Sequence, residues 1–308
     1  MLYPLSYEGQ APTLPAVPPP FHREDPAGQP GGAVHLYCPS AMTTTSPLTA
    51  YQDDRGNRIE YDGPVLDSVT VSFTGRNNRM TVASPAKFGR LRVDFNCDDG
   101  VFECGPHTEG PAFSGGLRVG QYSRILIGAN VTCTSGVTVS ATEGTTVRIG
   151  DDVMFASGNQ VRADDGHPIF DVRTGDRVNV SRAITIGHHV WLAGGVVVLG
   201  GVRIGDGAVV GYGSVVTRDV PNNCIAVGSP AKVVRRDTAW ERPHLSLTRP
   251  YYKPNAGTVK KSAWWALTED VEQDGGPARP AARVRAPRSR VRRGLGRVRR
   301  AVRVLVSG

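Results

Sequence analysis

Two groups of imidazole and carboxylate side chains stand out in this chain of 308 residues. The first is in the stretch ADDGHPIF, where His167 follows Asp164 and Asp165. The second is the adjacent pair His188 and His189. An imidazole has an unperturbed pKa of about 6.5, so near neutral pH it is largely unprotonated and still accepts a proton readily. These side chains are therefore candidates for general acid–base chemistry.

The elements that must position these groups follow from a six-residue repeat. Large aliphatic residues recur at every sixth position, at Ile186, Leu192, Val198, Ile204, Val210 and Val216. A six-residue period excludes a helix, because it places its members on no single helical face. In an extended chain an even period returns to the same side of the strand, and three hexapeptides close a triangular coil of about 18 residues. The repeat predicts an all-β solenoid with an internal aliphatic column.

The same spacing continues upstream with one irregularity. It recurs in two further sets, which are Ile127, Cys133 and Val139, and Ile149, Phe155 and Val161. The ten residues from Val139 to Ile149 are out of step and predict a loop or bulge. Cys133 falls on an inward position, which favours a role as core filler.

His167 stands where this repeat breaks. The next inward position after Val161 would be residue 167, but the chain has His167 followed by Pro168, and the period returns only at Ile184 or Ile186. Polar, turn-rich residues cannot stack inside an aliphatic column without leaving polar groups unsatisfied. The break therefore predicts a loop that leaves the coil, with His167 at its base.

The stretch ITIGHHVWLAGGVVVLGGVRIGDGAVVGYGSVVTRDVPNNCIAVGSPAKVVRR, residues 184–236, resembles the hexapeptide-repeat acyltransferases. The similarity is strongest to the galactoside, maltose and capsular-sugar O-acetyltransferases. It implies a left-handed parallel β-helix over residues 127–236 with an extruded loop. It also implies a homotrimer whose sites lie in the grooves between subunits, because one solenoid offers flat faces and no deep pocket.

The resemblance further implies roles for single residues. Its general base corresponds to His167, and Asp165 or Asp164 is a candidate to orient the ring unless it caps a turn. The oxyanion donor corresponds to the backbone N–H of Gly194. His188 and His189 are expected to be solvent-facing turn residues near the same groove. The residues assigned to an acetyl-coenzyme A groove are Trp191, Gly194, Tyr212, Thr217, Arg218, Lys232 and Arg235.

Two positions depart from the family pattern. Tyr212 stands where a small residue is common, which predicts a narrower channel or a different acyl group. Gly136 stands where the family often has an asparagine on the acceptor side.

These features predict an acyl-coenzyme A-dependent O-acetyltransferase that acts on a sugar hydroxyl, of a cell-envelope polysaccharide or its precursor, with no metal. N-acetylation of an amino sugar and a non-catalytic trimeric scaffold remain alternatives. A zinc enzyme of the carbonic anhydrase type is less favoured, because adjacent residues such as His188 and His189 point in opposite directions on an extended strand.

The cysteines and the hydropathy bear on the compartment. Five cysteines without paired metal-ligand spacing, at positions 38, 97, 104, 133 and 224, favour a reducing cytoplasm. The sequence contains no run of about 18 apolar residues, and its N-terminus does not resemble a signal peptide. We therefore expect a cytoplasmic protein, in contact with the membrane only at its surface if at all.

The net charge of +8 is concentrated at one end. Residues 276–308 contain eleven arginines and no acidic residue, which leaves −3 for the remainder. Apolar residues in this tail follow helical spacing at Val291, Leu295, Val298, Val302 and Leu305. The pattern predicts either an amphipathic helix on an anionic membrane surface or a disordered basic tail. Nucleic acid is less favoured, because the tail has no aromatic residue to stack on bases.

The resulting organisation has five segments. Residues 1–35 are a Pro-rich leader that is predicted to be disordered. Irregular strands and first coils follow over 36–126, and the β-helix acyltransferase domain covers 127–236. An aromatic extension, 237–267, is expected to pack on the solenoid or a neighbouring subunit, and the basic tail covers 268–308.

Overall fold

The computed structural model describes residues 42–269. The proline-rich leader, Cys38 and nearly all of the basic tail lie outside the described residues. Within them the chain forms a left-handed parallel β-helix of 22 short strands, numbered in chain order, and two short 3-10 helices. The predicted all-β solenoid is confirmed. None of the helices in residues 42–269 is long and apolar enough to cross a membrane.

Three sheets form the three faces of the solenoid. Sheet A contains β1 (Thr43–Thr45), β4 (Val69–Phe73), β6 (Phe88–Phe95), β8 (Phe113–Val119), β11 (Val137–Ala141), β14 (Gln160–Arg162), β17 (Val197–Leu199) and β20 (Val215–Val216). Sheet B contains β10 (Thr132–Cys133), β13 (Met154–Phe155), β16 (Trp191–Leu192), β19 (Val209–Val210), β21 (Ile225–Gly228) and β22 (Ala231–Arg235). Sheet C contains β2 (Tyr51–Gln52), β3 (Arg58–Glu60), β5 (Arg79–Val82), β7 (Val101–Cys104), β9 (Arg124–Ile127), β12 (Thr146–Ile149), β15 (Ile184–Ile186) and β18 (Arg203–Ile204).

The aliphatic column fills the interior. In sheet A the inward residues stack in register at Val71, Val93, Leu117, Val139, Val161, Val198 and Val216, and all are buried. Cys133 is also buried, and its burial raises the pKa of the thiol. Parallel strands stack about 4.8 Å apart, so the side chains of successive coils touch.

The coils are not uniform in length. One coil advances 22 residues between Val139 and Val161 but only 18 between Val198 and Val216. The extra residues lie at the corner between sheets A and C, where a turn separates β11 from β12. Parallel pairing already begins at β3 and β5, so regular coils start well upstream of residue 127.

The two ends of the stack close differently. At the N-terminal end β1 and β2 pair antiparallel with their neighbours. At the C-terminal end β21 and β22 form an antiparallel hairpin. The chain then runs back over the solenoid as the C-terminal extension, residues 237–267, which contains the two 3-10 helices Ala256–Thr258 and Ala263–Trp265.

Candidate active site

The segment 163–181 leaves the solenoid between β14 and β15, at the corner between sheets A and C. We call it the loop. The coils above and below remain in register across it, because Val161 pairs with Val198 and Ile149 pairs with Ile186. The loop is therefore an enlarged version of the corner turns of earlier coils, and it projects without interrupting the core.

The first end of the loop is anchored by Asp164. Its carboxylate is buried and pairs with Arg118 Nη2 at 2.5 Å. It also accepts a hydrogen bond from the Ser140 hydroxyl, and a second one, of 3.0 Å, from the Gly166 N–H. Arg118 and Ser140 are adjacent in the ladder of sheet A, one coil apart. Asp164 thus ties the loop to two successive coils beneath it.

The returning end is anchored by Glu143, in the corner turn of the preceding coil. Its carboxylate pairs with both terminal nitrogens of Arg177 and accepts from the Ser181 hydroxyl at 2.5 Å and the Ser181 N–H at 3.2 Å. The hydrogen bond from Arg177, followed by that from Ser181, lowers the pKa of Glu143 to about 2. Both ends of the loop are therefore held by charged groups.

His167 lies in the loop with its side chain exposed. Within residues 42–269 its ring makes no hydrogen bond or ion pair, and the carboxylates of Asp164 and Asp165 bind other groups. Asp165 accepts a hydrogen bond from Asn179 at 3.0 Å. The arrangement differs from the expectation that an aspartate orients the ring, because Asp164 anchors the loop and Asp165 binds an amide.

His188 and His189 lie at a different corner, between sheets C and B. His188 Nδ1 is 3.3 Å from the Asp151 carboxylate, which raises the pKa of His188 and lowers that of Asp151. The ring of His188 also stacks on Trp264, with centroids 5.6 Å apart. His188 was expected to lie beside the groove of Gly194. It lies at another corner and contacts Asp151 and Trp264 of the C-terminal extension.

His189 is buried, with 2% of its surface exposed, so the expectation that it faces solvent is wrong. Its Nδ1 is 2.5 Å from Asp152, its Nε2 is 3.1 Å from the Trp240 carbonyl, and its ring stacks on Trp240 at 4.1 Å. Burial works to raise the pKa of Asp152, but the contacts with His189 and Arg242 outweigh it and lower that pKa overall. This corner is a structural joint with the C-terminal extension.

The residues predicted for a donor groove lie in three places: Trp191, Lys232 and Arg235 are on sheet B, Thr217 and Arg218 follow β20 at the corner between sheets A and C, and Gly194 and Tyr212 lie at the corner between sheets B and A. Gly194 and Tyr212 occupy that corner in successive coils, and a Cβ at Gly194 would come within 2.6 Å of the Tyr212 ring. The Tyr212 side chain is itself 85% exposed. The remaining polar members, which are all exposed, are Thr217, Arg218, Lys232 and Arg235. Trp191 packs against Trp240 at 5.9 Å.

The backbone at Gly194 has one free donor. Its carbonyl accepts from Gly213 N–H at 2.9 Å, but in the described part of the chain its own N–H has no acceptor. The next residue, Gly195, has φ +69°, a conformation that favours glycine. A free N–H without a shielding Cβ is what an oxyanion donor requires.

Comparison with known proteins identifies the family. A family model described as bacterial transferase hexapeptide (six repeats) matches residues 183–218. A solved structure, of the polySia specific acetyltransferase NeuO, is 35% identical with a TM-score of 0.52, covering 56% of this chain and 78% of that one. This chain belongs to the hexapeptide-repeat acetyltransferases.

Curated relatives of this hexapeptide-repeat acetyltransferase include sugar O-acetyltransferases. The polysialic acid O-acetyltransferase of Escherichia coli O1:K1 / APEC is 45% identical over 120 residues, which is 39% of each chain. The galactoside O-acetyltransferase of Escherichia coli K12 is 40% identical over 113 residues, 37% of this chain and 54% of that protein. The chain thus spans about two fifths to one half of the length of these relatives.

Several residues that shape this acetyltransferase's loop were missed from sequence. A spacing of 22 residues, the length of one coil, separates Arg118, Ser140 and Arg162. Their pairing in neighbouring strands of sheet A could have been predicted once that coil length was known. Asn179 and the Glu143–Arg177 pair carry no such periodic signal.

Proposed function

We propose that this protein is an acyl-coenzyme A-dependent O-acetyltransferase whose acceptor is a sugar hydroxyl. Membership of the acetyltransferase family supports acetyl transfer, and its polysialic acid and galactoside relatives support a saccharide acceptor. The single observation that carries the catalytic assignment is the exposed, unpartnered imidazole of His167 on a loop held at both ends.

The proposed reaction needs no covalent enzyme intermediate. His167 accepts the proton of the acceptor hydroxyl as that oxygen bonds to the thioester carbon. The Gly194 N–H donates to the oxyanion that forms on the carbonyl oxygen. When the C–S bond breaks, the imidazolium returns the proton to the departing thiolate, giving an acetyl ester and free coenzyme A.

The donor groove is proposed to use sheet B, the corner between sheets B and A and, through Thr217 and Arg218, the corner between sheets A and C. Arg218, Lys232 and Arg235 are exposed cations near the C-terminal end of the solenoid, and cations of this kind bind nucleotide phosphates. Trp191 stands three residues before Gly194 on sheet B, and Thr217 stands beside Arg218 at the corner between sheets A and C. The Tyr212 ring, which lies over Gly194, is placed to contact the acyl group.

The proposed assembly is a homotrimer. His167 projects from the corner between sheets A and C, whereas Gly194 lies at the corner between sheets B and A, so a shared site needs two chains. Five large apolar side chains of the loop are each more than half exposed, at Ile169, Phe170, Val172, Val178 and Val180. Such a patch on a projecting loop suits burial against a neighbouring copy.

The test uses the full chain with acetyl-coenzyme A and a panel of neutral and acidic oligosaccharides, and follows release of free thiol. His167→Ala is expected to lower kcat about 10²- to 10⁴-fold. His244→Ala, which removes another exposed imidazole, is the control and should retain wild-type turnover. Full activity in His167→Ala would remove the assigned base, and no turnover across the panel would favour the scaffold alternative. Sensitivity of the purified product to alkaline hydroxylamine distinguishes an ester from an amide.

The predicted cytoplasmic location stays a prediction, as does membrane contact through residues 291–305, which lie outside the described residues.

A further inference from the structure

The neck of the loop is closed by one side chain, Asn179. Its Oδ1 accepts from the Ile169 N–H at 2.7 Å and from Arg177 Nε at 3.3 Å. Its Nδ2 donates to the His167 carbonyl at 2.8 Å and to the Asp165 carboxylate at 3.0 Å. The Asn179 amide therefore binds Asp165, His167 and Ile169, which are alternate residues along one stretch of the loop.

These contacts use the full hydrogen-bonding capacity of a carboxamide, which has two N–H donors and two acceptor lone pairs. The ring of His167 has no partner of its own within residues 42–269. The place of the imidazole is thus set through its backbone, which Asn179 holds at the His167 carbonyl and the Ile169 N–H, together with the Asp165 side chain before it.

We propose that Asn179 is a positioning residue for the acyl transfer reaction: it holds His167 where the imidazole can reach the acceptor hydroxyl. The inference rests on the proposed function of His167 as general base. Asn179 acts through His167 and is given no contact with substrate. It stabilises the neck, whereas Asp164 and Glu143 fix the two ends of the loop to the solenoid.

The chemistry at position 179 is specific to asparagine. Aspartate has the same shape but no donor, so it would leave the His167 carbonyl unpaired and face the like charge of Asp165. Alanine would remove all four contacts. Asn179 lies outside the solenoid core, so these changes leave the aliphatic column intact.

The experiment compares Asn179→Ala and Asn179→Asp with wild type in the full chain. A base displaced by about 1 Å costs up to about 100-fold in rate, so we expect kcat to fall 10- to 100-fold. The KM for acetyl-coenzyme A should stay within about twofold, because the four hydrogen bonds of Asn179 all go to residues of the loop and none goes to a residue assigned to the donor groove. Asn255→Ala is the matched control, since Asn255 also clips an exposed turn through the Gly257 N–H at 2.9 Å.

A double-mutant cycle separates positioning from a general structural role. If Asn179 acts only through His167, the double variant His167→Ala with Asn179→Ala should be no slower than His167→Ala alone. The inference is overturned if Asn179→Ala turns over like wild type while His167→Ala is inactive, since the base then stands without it. It is also overturned if Asn179→Ala slows the His167→Ala enzyme further. Full activity in His167→Ala would instead remove the proposed base, and the inference with it.

Discussion

His189 and Trp240 are joined twice, although 51 residues separate them in the chain. The Trp240 indole donates to the His189 carbonyl at 2.8 Å, and the Trp240 carbonyl lies 3.1 Å from His189 Nε2. Their rings also stack. The C-terminal extension is therefore fastened to the solenoid at this joint, with Arg242 reaching from the next turn to Asp152 at 2.6 Å.

Removal of Trp240 should cost substantial stability. Trp240→Ala deletes a buried ring that stacks on His189 and removes the donor to the His189 carbonyl, and we expect a loss of about 3–5 kcal/mol in the free energy of unfolding. Trp265→Ala is the control, because that ring is partly exposed and contacts Lys261 mainly through a cation–π pair. Its expected cost is under about 1 kcal/mol. Urea unfolding measures both, and equal losses would show that the joint is not the fastening point.

The Glu143 anchor makes part of the stability depend on pH. The folded-state pKa of about 2 lies below the unfolded value, so this contribution is fully present above about pH 4.5 and is lost as pH falls towards 2. The difference in unfolding free energy between wild type and Glu143→Gln should therefore be larger at pH 7 than at pH 3. A difference that does not change with pH would contradict the assigned ion pair.

Trypsin gives a local measure of the same anchor. Glu143→Gln should speed cleavage after Arg173, an exposed loop residue. Glu103→Gln, which removes a carboxylate paired with Arg79 on sheet C, should leave the cleavage rate at its wild-type value.

Asp164 should contribute more to the free energy of unfolding than a surface carboxylate. Asp164→Ala removes the buried carboxylate that Arg118 and Ser140 both bind at the base of the loop, and we expect a cost of about 1–3 kcal/mol in the free energy of unfolding. Asp94→Ala removes an exposed partner of Arg92 and should cost under about 1 kcal/mol. Chemical denaturation of the two variants provides the comparison. Equal values would mean that the buried contacts of Asp164 add nothing.

Tyr212 should set the length of the acyl group. Its ring lies over Gly194, so Tyr212→Ala opens the space beside the proposed oxyanion donor. The ratio of kcat/KM for butyryl- over acetyl-coenzyme A should rise about 10-fold, in line with the energy of one or two methylene groups. Tyr252→Ala, at an exposed site on the C-terminal extension, should leave the ratio unchanged. An unchanged ratio in Tyr212→Ala would place the acyl group elsewhere.

The repeat was sufficient to predict the solenoid, because its period is local and every inward position from Ile186 to Val216 is buried. The projection of the loop also followed from sequence, since a histidine and a proline replaced an aliphatic position. The early coils were harder to recognise from sequence, because each has extra residues at the corner between sheets A and C. These residues interrupt the six-residue spacing of the inward positions. The surroundings of His189 could not be predicted, since its partners come from a distant segment of the chain.

Val161 and Val198 stay in register across the loop, so the loop can vary in sequence independently of the solenoid core. The core of the solenoid contains no side chain of residues 171–176, which lie beyond the contacts of Asn179 and Glu143, so this outer part of the loop can change in length and composition at little cost to folding. Different parts of the chain thus determine acceptor recognition and the stacking of the coils. A library confined to that outer part would diversify the acceptor while every coil stays stacked as before.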